Sequence, residues 1–151
     1  MKISKEKLIE ILNKDDYKYD IDDSDSDIII LTFGSVHVGI SGCGDNDYLS
    51  IFAELIGEAE EWDVDFYKYI LNMNFNLGSR SLGISENNLG KQSVYLVSYL
   101  PSKERFREDE FLKEIKEIGE FSDKLVDKLK EEYGGLKPDE IKEEFIKRLM
   151  D

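Results

Sequence analysis

The stretch "DVDFYKYILNMNFNL" (residues 63–77) reads as one helix with two apolar stripes. At 3.6 residues per turn, one stripe consists of Phe66, Tyr69, Ile70, Met73 and Leu77. The second stripe lies almost opposite and consists of Val64, Tyr67, Leu71 and Phe75. A helix that lies on a sheet at the protein surface needs only one apolar stripe. The second stripe therefore predicts that something besides the parent sheet covers this helix.

Two coverings of the second stripe remain open. The first or the last helix of the same chain can fold over it. Alternatively, the same helix of a second subunit covers it, in a two-fold interface where the patch meets itself. Because a large exposed apolar area usually marks an interface, the homodimer is favoured. We therefore predict that the dimer interface contains Val64, Tyr67, Leu71 and Phe75.

The residues that flank this helix carry start and stop signals. Asp63 is a suitable N-cap, and Trp62 before it can pack on Tyr67 as a hydrophobic staple. Gly78 can end the helix, since glycine adopts the left-handed conformation that closes many helices. These signals predict a helix over 64–77.

Three further helices follow from apolar periodicity. Residues 3–13 predict a short amphipathic helix, and steps of three and four predict a long one from about 104 to 133. A proline in first-turn position then opens a final helix, whose apolar stripe is Ile141, Phe145 and Leu149. The simplest expectation is that this stripe docks on the parent domain, although the helix can also be a removable cover over a binding groove.

Strand-like runs occupy the intervals at 17–22, 27–33, 36–41, 48–56, 80–85 and 92–100. The run at 28–31 is continuously apolar, which is typical of a central strand covered on both faces. The order α-β-β-β-β-α-β-β-α-α predicts one α+β domain with a mainly antiparallel sheet. We assign residues 1–135 to this domain and residues 136–151 to an amphipathic helix appended to it.

Charge restricts the partners of the protein. The net charge is −14 over 151 residues, from 34 acidic and 20 basic side chains. Nucleic acids and anionic membranes are bound through clustered Lys and Arg, so neither is an expected partner. A protein partner fits, and the acidic surface of residues 15–27 is an alternative site for a basic one. No apolar run is long enough to span a membrane, and one cysteine suits a reducing compartment, which indicates a cytoplasmic protein.

Motifs for catalysis, metals and cofactors are missing from the pattern of residues. The aspartates of "YDIDDSDSDII" (residues 19–29) lack the glycine and final glutamate of a calcium loop. The lone His37 and lone Cys43 are too few for a zinc site, and "GSRSLGIS" lacks the phosphate-binding lysine. We therefore predict no catalytic residue, metal or cofactor. One alternative stays open, a small-molecule binder or enzyme that uses the loop at 41–47 with Cys43, Asp45 and Asp47.

Three segments resemble a known family. The runs "YILNMNFNLGSRSLGISE", "SVYLVSYLP" and "EDEFLKEIKEIGEFSDKL" are similar to the type III secretion chaperones of the CesT kind and to related YbjN-like proteins. The resemblance covers residues 64–133 best. It implies a small acidic homodimer without catalysis that binds a segment of another protein along apolar patches. The strand "VHVGI" and the helix after residue 137 depart from the family pattern.

The resemblance also indicates where a partner would bind. The face of the predicted hairpin that is left unpaired carries Tyr95, Val97 and Tyr99, which we predict to be partner-binding residues. The alternative is that these side chains pack under a helix, because the opposite set, Val94, Leu96 and Leu100, competes for the core position. Tyrosine suits a half-exposed site because it has a polar tip on an apolar body.

Overall fold

The structure, a computed structural model, describes residues 2–22, 25, 27–42 and 47–151. In these ranges the elements follow in the order α-β-β-β-β-α-β-β-α-α, which confirms the predicted single-domain α+β fold. Their bounds are α1 Lys5–Lys14, β1 Asp20–Ile21, β2 Ile29–Phe33, β3 Val36–Ser41, β4 Tyr48–Gly57, α2 Val64–Met73, β5 Ser81–Glu86, β6 Gln92–Pro101, α3 Glu108–Tyr133 and α4 Pro138–Met150.

The described strands form one antiparallel sheet in the order β1-β2-β3-β4-β6-β5. Alternation along the strands gives the sheet a core face and an open face. Strand β4 shows this clearly, because its alternate residues Leu49, Ile51, Ala53 and Leu55 are fully buried on the core face. A bulge between Glu54 and Ile56 then turns Ile56 into the core as well.

The prediction that residues 28–31 are covered on both faces is wrong. Ile29 and Leu31 are buried, whereas Ile28 and Ile30 are only half-buried. The reason is the position of β2 in the sheet, since its outer neighbour β1 pairs with it over two residues only. A continuously apolar run does not distinguish a central strand from one beside a short edge strand.

Helix α3 covers the core face and contacts β2, β3, β4 and β6. Of its predicted stripe, Leu112 is half-buried, and the other members are buried, namely Phe111, Ile115, Ile118, Ser122, Leu125, Val126 and Leu129. Gly119 allows a close approach to the sheet, since a Cβ at this position would lie 2.4 Å from the ring of Phe33. The helix starts at residue 108 rather than 104 because residues 103–106 form a turn, in which Phe106 N donates to Lys103 O at 2.9 Å.

Helix α4 begins on the open face of the sheet. After α3, Leu136 exchanges two backbone hydrogen bonds with Gly57, at 2.7 and 2.8 Å. His37, which points to the open face between buried Val36 and Val38, then lies 3.2 Å from the carboxylate of Asp139.

The apolar stripe of α4 docks only in its first half. Ile141 is 4% exposed and sits over Gly57, where an added Cβ would lie 2.7 Å from Ile141 Cδ1. Phe145 is half-buried, and Leu149 is 70% exposed. The boundary between domain and appended helix at residue 135 stays a prediction.

Candidate functional site

The first apolar stripe of α2 holds the helix against the end of α3. Phe66 and Ile70 are buried, and the ring of Phe66 stacks on Trp62 at 4.1 Å and meets Tyr133 edge-on at 5.1 Å. The predicted N-cap is present, since Phe66 N donates to Asp63 Oδ1 at 3.0 Å. Trp62 also lies 6.4 Å from Tyr67, as expected for the staple. Local signals therefore place the start of α2 correctly.

The end of α2 differs from the prediction. The α-helix stops at Met73, and residues Asn74–Asn76 form a 3-10 turn. The Asn74 side chain forms two hydrogen bonds with the backbone of β5. It accepts from Leu82 N at 2.7 Å and donates to Leu82 O at 3.2 Å. Asparagine competes with helical hydrogen bonding in this way because its amide mimics a peptide group.

The second apolar stripe of α2 is largely exposed to solvent. Val64 is 65% exposed, Leu71 65% and Phe75 89%, so neither the first nor the last helix of the chain covers them. Tyr67 differs, because it is half-buried and its hydroxyl donates to Gln92 Oε1 at 2.7 Å. We call Val64, Leu71 and Phe75 the α2 stripe.

Strand β6 divides its side chains between the two faces of the sheet, and of the set that competes for the core position Leu100 is only half-buried. Val94 and Leu96 are fully buried in the core, whereas Tyr99 on the open face is 62% exposed. Tyr95 and Val97 are half-buried. Burial raises the pKa of Tyr95, and the nearby Glu54 carboxylate, which accepts from the tyrosine hydroxyl at 3.1 Å, raises it further.

A shallow apolar cavity of about 310 Å³ lies on the open face around these residues. We call it the tyrosine groove, and the side chains that matter for its chemistry are Phe52, Tyr95, Val97 and Tyr99. No residue of α4 lines the groove. In this conformation α4 therefore lies beside the predicted partner-binding residues and not over them.

A second cavity, of about 580 Å³, lies between α2 and β5 and was not predicted from the sequence. We call it the acidic cavity, and its charged and polar lining includes Glu58, Glu61, Glu86, Tyr67, Lys91 and Gln92. Its residues come from three separate segments, 58–61, Tyr67 and 84–92, so no local sequence motif predicts it. The turn after β4 is fixed there by Glu58, which accepts from Gln92 N at 3.0 Å.

The fold is shared with a protein of known structure. The chain is similar to YbjN of E. coli, a proposed transcription regulator, with a TM-score of 0.64 and 10% sequence identity. The match covers 80% of this chain and 86% of that one. No protein-family model matches the chain, and no curated protein sequence matches it. At this identity the likeness shows the fold alone.

The alternative site at 41–47 falls mostly outside the described residues, which include neither Cys43 nor Asp45. Asp47 is described, and its carboxylate forms an ion pair with Lys103 at 2.5 Å. The Lys103 ammonium lowers the pKa of Asp47 through this hydrogen bond. Of the acidic surface at 15–27, residues 23, 24 and 26 likewise fall outside. Within the described ranges, no group of three or more candidate ligands is positioned to hold a metal ion.

The described helices include none that is both long and apolar enough to cross a membrane.

Proposed function

We propose that the protein is a non-enzymatic, homodimeric, chaperone-like module of the cytoplasm that binds a segment of a partner protein. The observation that supports this best is the presence of two separate apolar surfaces that the chain itself leaves open. One is the α2 stripe, and the other is the tyrosine groove. Exposed apolar patches of this kind mark sites of protein association.

In this proposal the α2 stripe joins two subunits. Val64 and Leu71 lie on the exposed side of α2, whose other side packs in the core, and Phe75 continues the stripe in the 3-10 turn that follows. A two-fold axis beside α2 would place each stripe against its own copy. Tyr67 then contributes at the margin, since its hydroxyl is already held by Gln92.

The tyrosine groove takes the partner segment. Tyr95, Val97 and Tyr99 lie on β6, which is paired on both sides, and aromatic side chains supply a large contact area at a small loss of conformational entropy. The net charge of −14 opposes direct contact with DNA. If this protein has a regulatory role, as proposed for the similar E. coli protein, it would act by binding a protein and not a nucleic acid.

Capture from native lysate, followed by mass measurement of the intact complex, tests both parts. The wild-type chain, Val97→Asp and Leu71→Asp serve as baits, with Lys124→Asp on the exposed face of α3 as the control. We expect the wild type and the control to hold one partner species with two subunits. Val97→Asp should lose the partner and remain a dimer, whereas Leu71→Asp should become a monomer.

The proposal is contradicted if the wild-type chain is a monomer at high concentration, or if the captured species bind Val97→Asp as well as the wild type. Circular dichroism and thermal melting of each bait separate loss of binding from loss of folding.

A further inference from the structure

We propose that the outer edge of β5 receives the partner as an added strand, and that the partner segment alternates apolar and basic residues. This inference rests on the proposed function and specifies the chemistry of the segment that the site binds. Three features carry it: an open strand edge, an apolar cavity on one side of that edge and an acidic cavity on the other.

Among the described residues, none forms a backbone hydrogen bond to the outer edge of β5 beyond Leu82. This strand is the last of the sheet, so alternate residues direct their N–H and C=O groups away from β6. The two outward groups of Leu82 bond to the Asn74 side chain, which stands in for a neighbouring strand. The register β5–β6 gives Ile84 and Glu86 the same outward direction.

Several common protections of an edge strand are missing from β5, although Glu86 is a charged residue of this strand. β5 contains neither proline nor lysine and pairs with β6 without a register shift. A Cβ added to Gly83 would meet no atom within 4 Å, so a partner can approach the strand from the open face. The opposite edge of the sheet is different, since β1 spans only two residues.

The two cavities meet at the open part of this edge. Ile84 and Ser85 line both of them. The tyrosine groove lies on the open face of the sheet, whereas the acidic cavity lies on the side of α2. Successive side chains of a strand point to opposite faces. A strand paired with Ile84 and Glu86 would therefore send its side chains alternately into the tyrosine groove and toward the acidic cavity.

The charges of the acidic cavity select basic side chains. Three carboxylates, of Glu58, Glu61 and Glu86, line it together with one ammonium, of Lys91. Lys91 Nζ donates to the carbonyl oxygen of Ala59 at 2.7 Å. Across the described part of the chain, none of these three carboxylates forms an ion pair within 4.0 Å. Apolar residues that face the groove and Lys or Arg that face the cavity give the alternating pattern.

Binding of a labelled peptide, Lys-Val-Lys-Val-Lys-Val-Lys, measured by fluorescence polarisation, tests the inference. The controls are the same residues in block order, an alternating Glu-Val peptide, and an alternating Lys-Val peptide with N-methyl groups on alternate amides. We expect the alternating Lys-Val peptide to bind at least tenfold more tightly than each control. The N-methyl groups remove strand pairing without changing composition, and they require no change in the protein.

Protein variants test the same contacts from the other side. Ile84→Pro removes an outward N–H while leaving the ladder to β6 intact, which an edge strand tolerates, and should reduce binding at least tenfold. The double variant Glu61→Gln, Glu86→Gln should weaken binding about fivefold, as expected for two exposed charge pairs. The matched double variant Glu131→Gln, Glu143→Gln, whose exposed carboxylates line neither cavity, should bind like the wild type.

Three outcomes overturn the inference. The first is equal binding of the alternating and block peptides, or no binding of either. The second is that the Ile84→Pro variant binds the alternating peptide as tightly as the wild type does. If Val97→Asp still loses the captured partner in that case, the proposed function survives and only strand addition fails. The third is conversion of a wild-type dimer to a monomer by Ile84→Pro, because the edge would then belong to a second copy of this chain.

Discussion

Replacement of Leu71 by aspartate should separate the two subunits and leave each subunit folded. Leu71 is 65% exposed on α2, so its side chain contributes little to the core of a single chain. In the proposed dimer the same side chain is buried against the partner subunit. The substitution therefore acts on association and not on folding.

The size of the effect follows from the exposed fraction. Full burial of a leucine side chain stabilises by about 1.5–3 kcal/mol. Since 65% of Leu71 remains to be buried, each subunit would lose about 1–2 kcal/mol of association free energy. A two-fold interface contains the residue twice, which gives about 2–4 kcal/mol, or an increase in Kd of about 30- to 700-fold. An exposed substitution changes the stability of the isolated subunit by about 0.5 kcal/mol or less.

Sedimentation equilibrium across a wide concentration range measures the dimer Kd, and urea unfolding measures subunit stability. Asn72→Asp is the matched control, because it adds the same charge at the exposed neighbouring position of α2 without removing apolar surface. We expect the change in log Kd caused by Asn72→Asp to be less than a fifth of the change caused by Leu71→Asp.

The reasoning is refuted if Leu71→Asp and Asn72→Asp weaken the dimer equally, since charge alone would then explain the effect. It is also refuted if Leu71→Asp unfolds while Asn72→Asp does not, because Leu71 would then belong to the core of the chain.

Three further predictions concern individual side chains. Ser122→Ala should raise the free energy of unfolding in urea by about 1 kcal/mol, because the buried Ser122 hydroxyl has no hydrogen-bond partner in the described part of the chain; an unchanged or lower value contradicts this. Asn74→Ala should lower the free energy of unfolding by about 1–2 kcal/mol through loss of its two bonds to Leu82, and faster hydrogen exchange of the Leu82 amide would show that the edge is freed. The raised pKa of Tyr95, caused by burial and then by Glu54, implies stability that is present below the unfolded pKa of about 10 and lost as the pH rises above it. Tyr95→Phe should remove part of this alkaline loss in melts from pH 9 to 11, and identical slopes for both proteins would contradict the assignment.

Much of the fold was predictable because its signals are local. The cap at Asp63, the alternation along β4 and the stripe of α3 each follow from neighbours within a few residues, and all three are present. The exposed positions of Leu71 and Phe75 also follow from helical periodicity, although Phe75 lies in the 3-10 turn.

Other features depend on contacts between distant segments. The α-helix ends before Asn74 because the Asn74 side chain forms hydrogen bonds with the backbone of Leu82 in β5. The final helix was predicted to dock through one apolar stripe, yet of that stripe only Ile141 is buried, where it packs over Gly57. Periodicity shows which residues share a side of a helix, but it does not show how far the surface beneath that helix extends.

The sequence by itself determined the order of elements, the alternation along β4 and the presence of a second apolar stripe at 64–75, because period and composition act over short distances. Only the tertiary structure decided that the acidic cavity and the tyrosine groove flank the same open edge at Ile84. Residues 58–61 and 84–92 meet there through the pairing of β4 with β6 and of β6 with β5. Such a site has no signature along the chain, because its residues become neighbours only when the strands pair into the sheet.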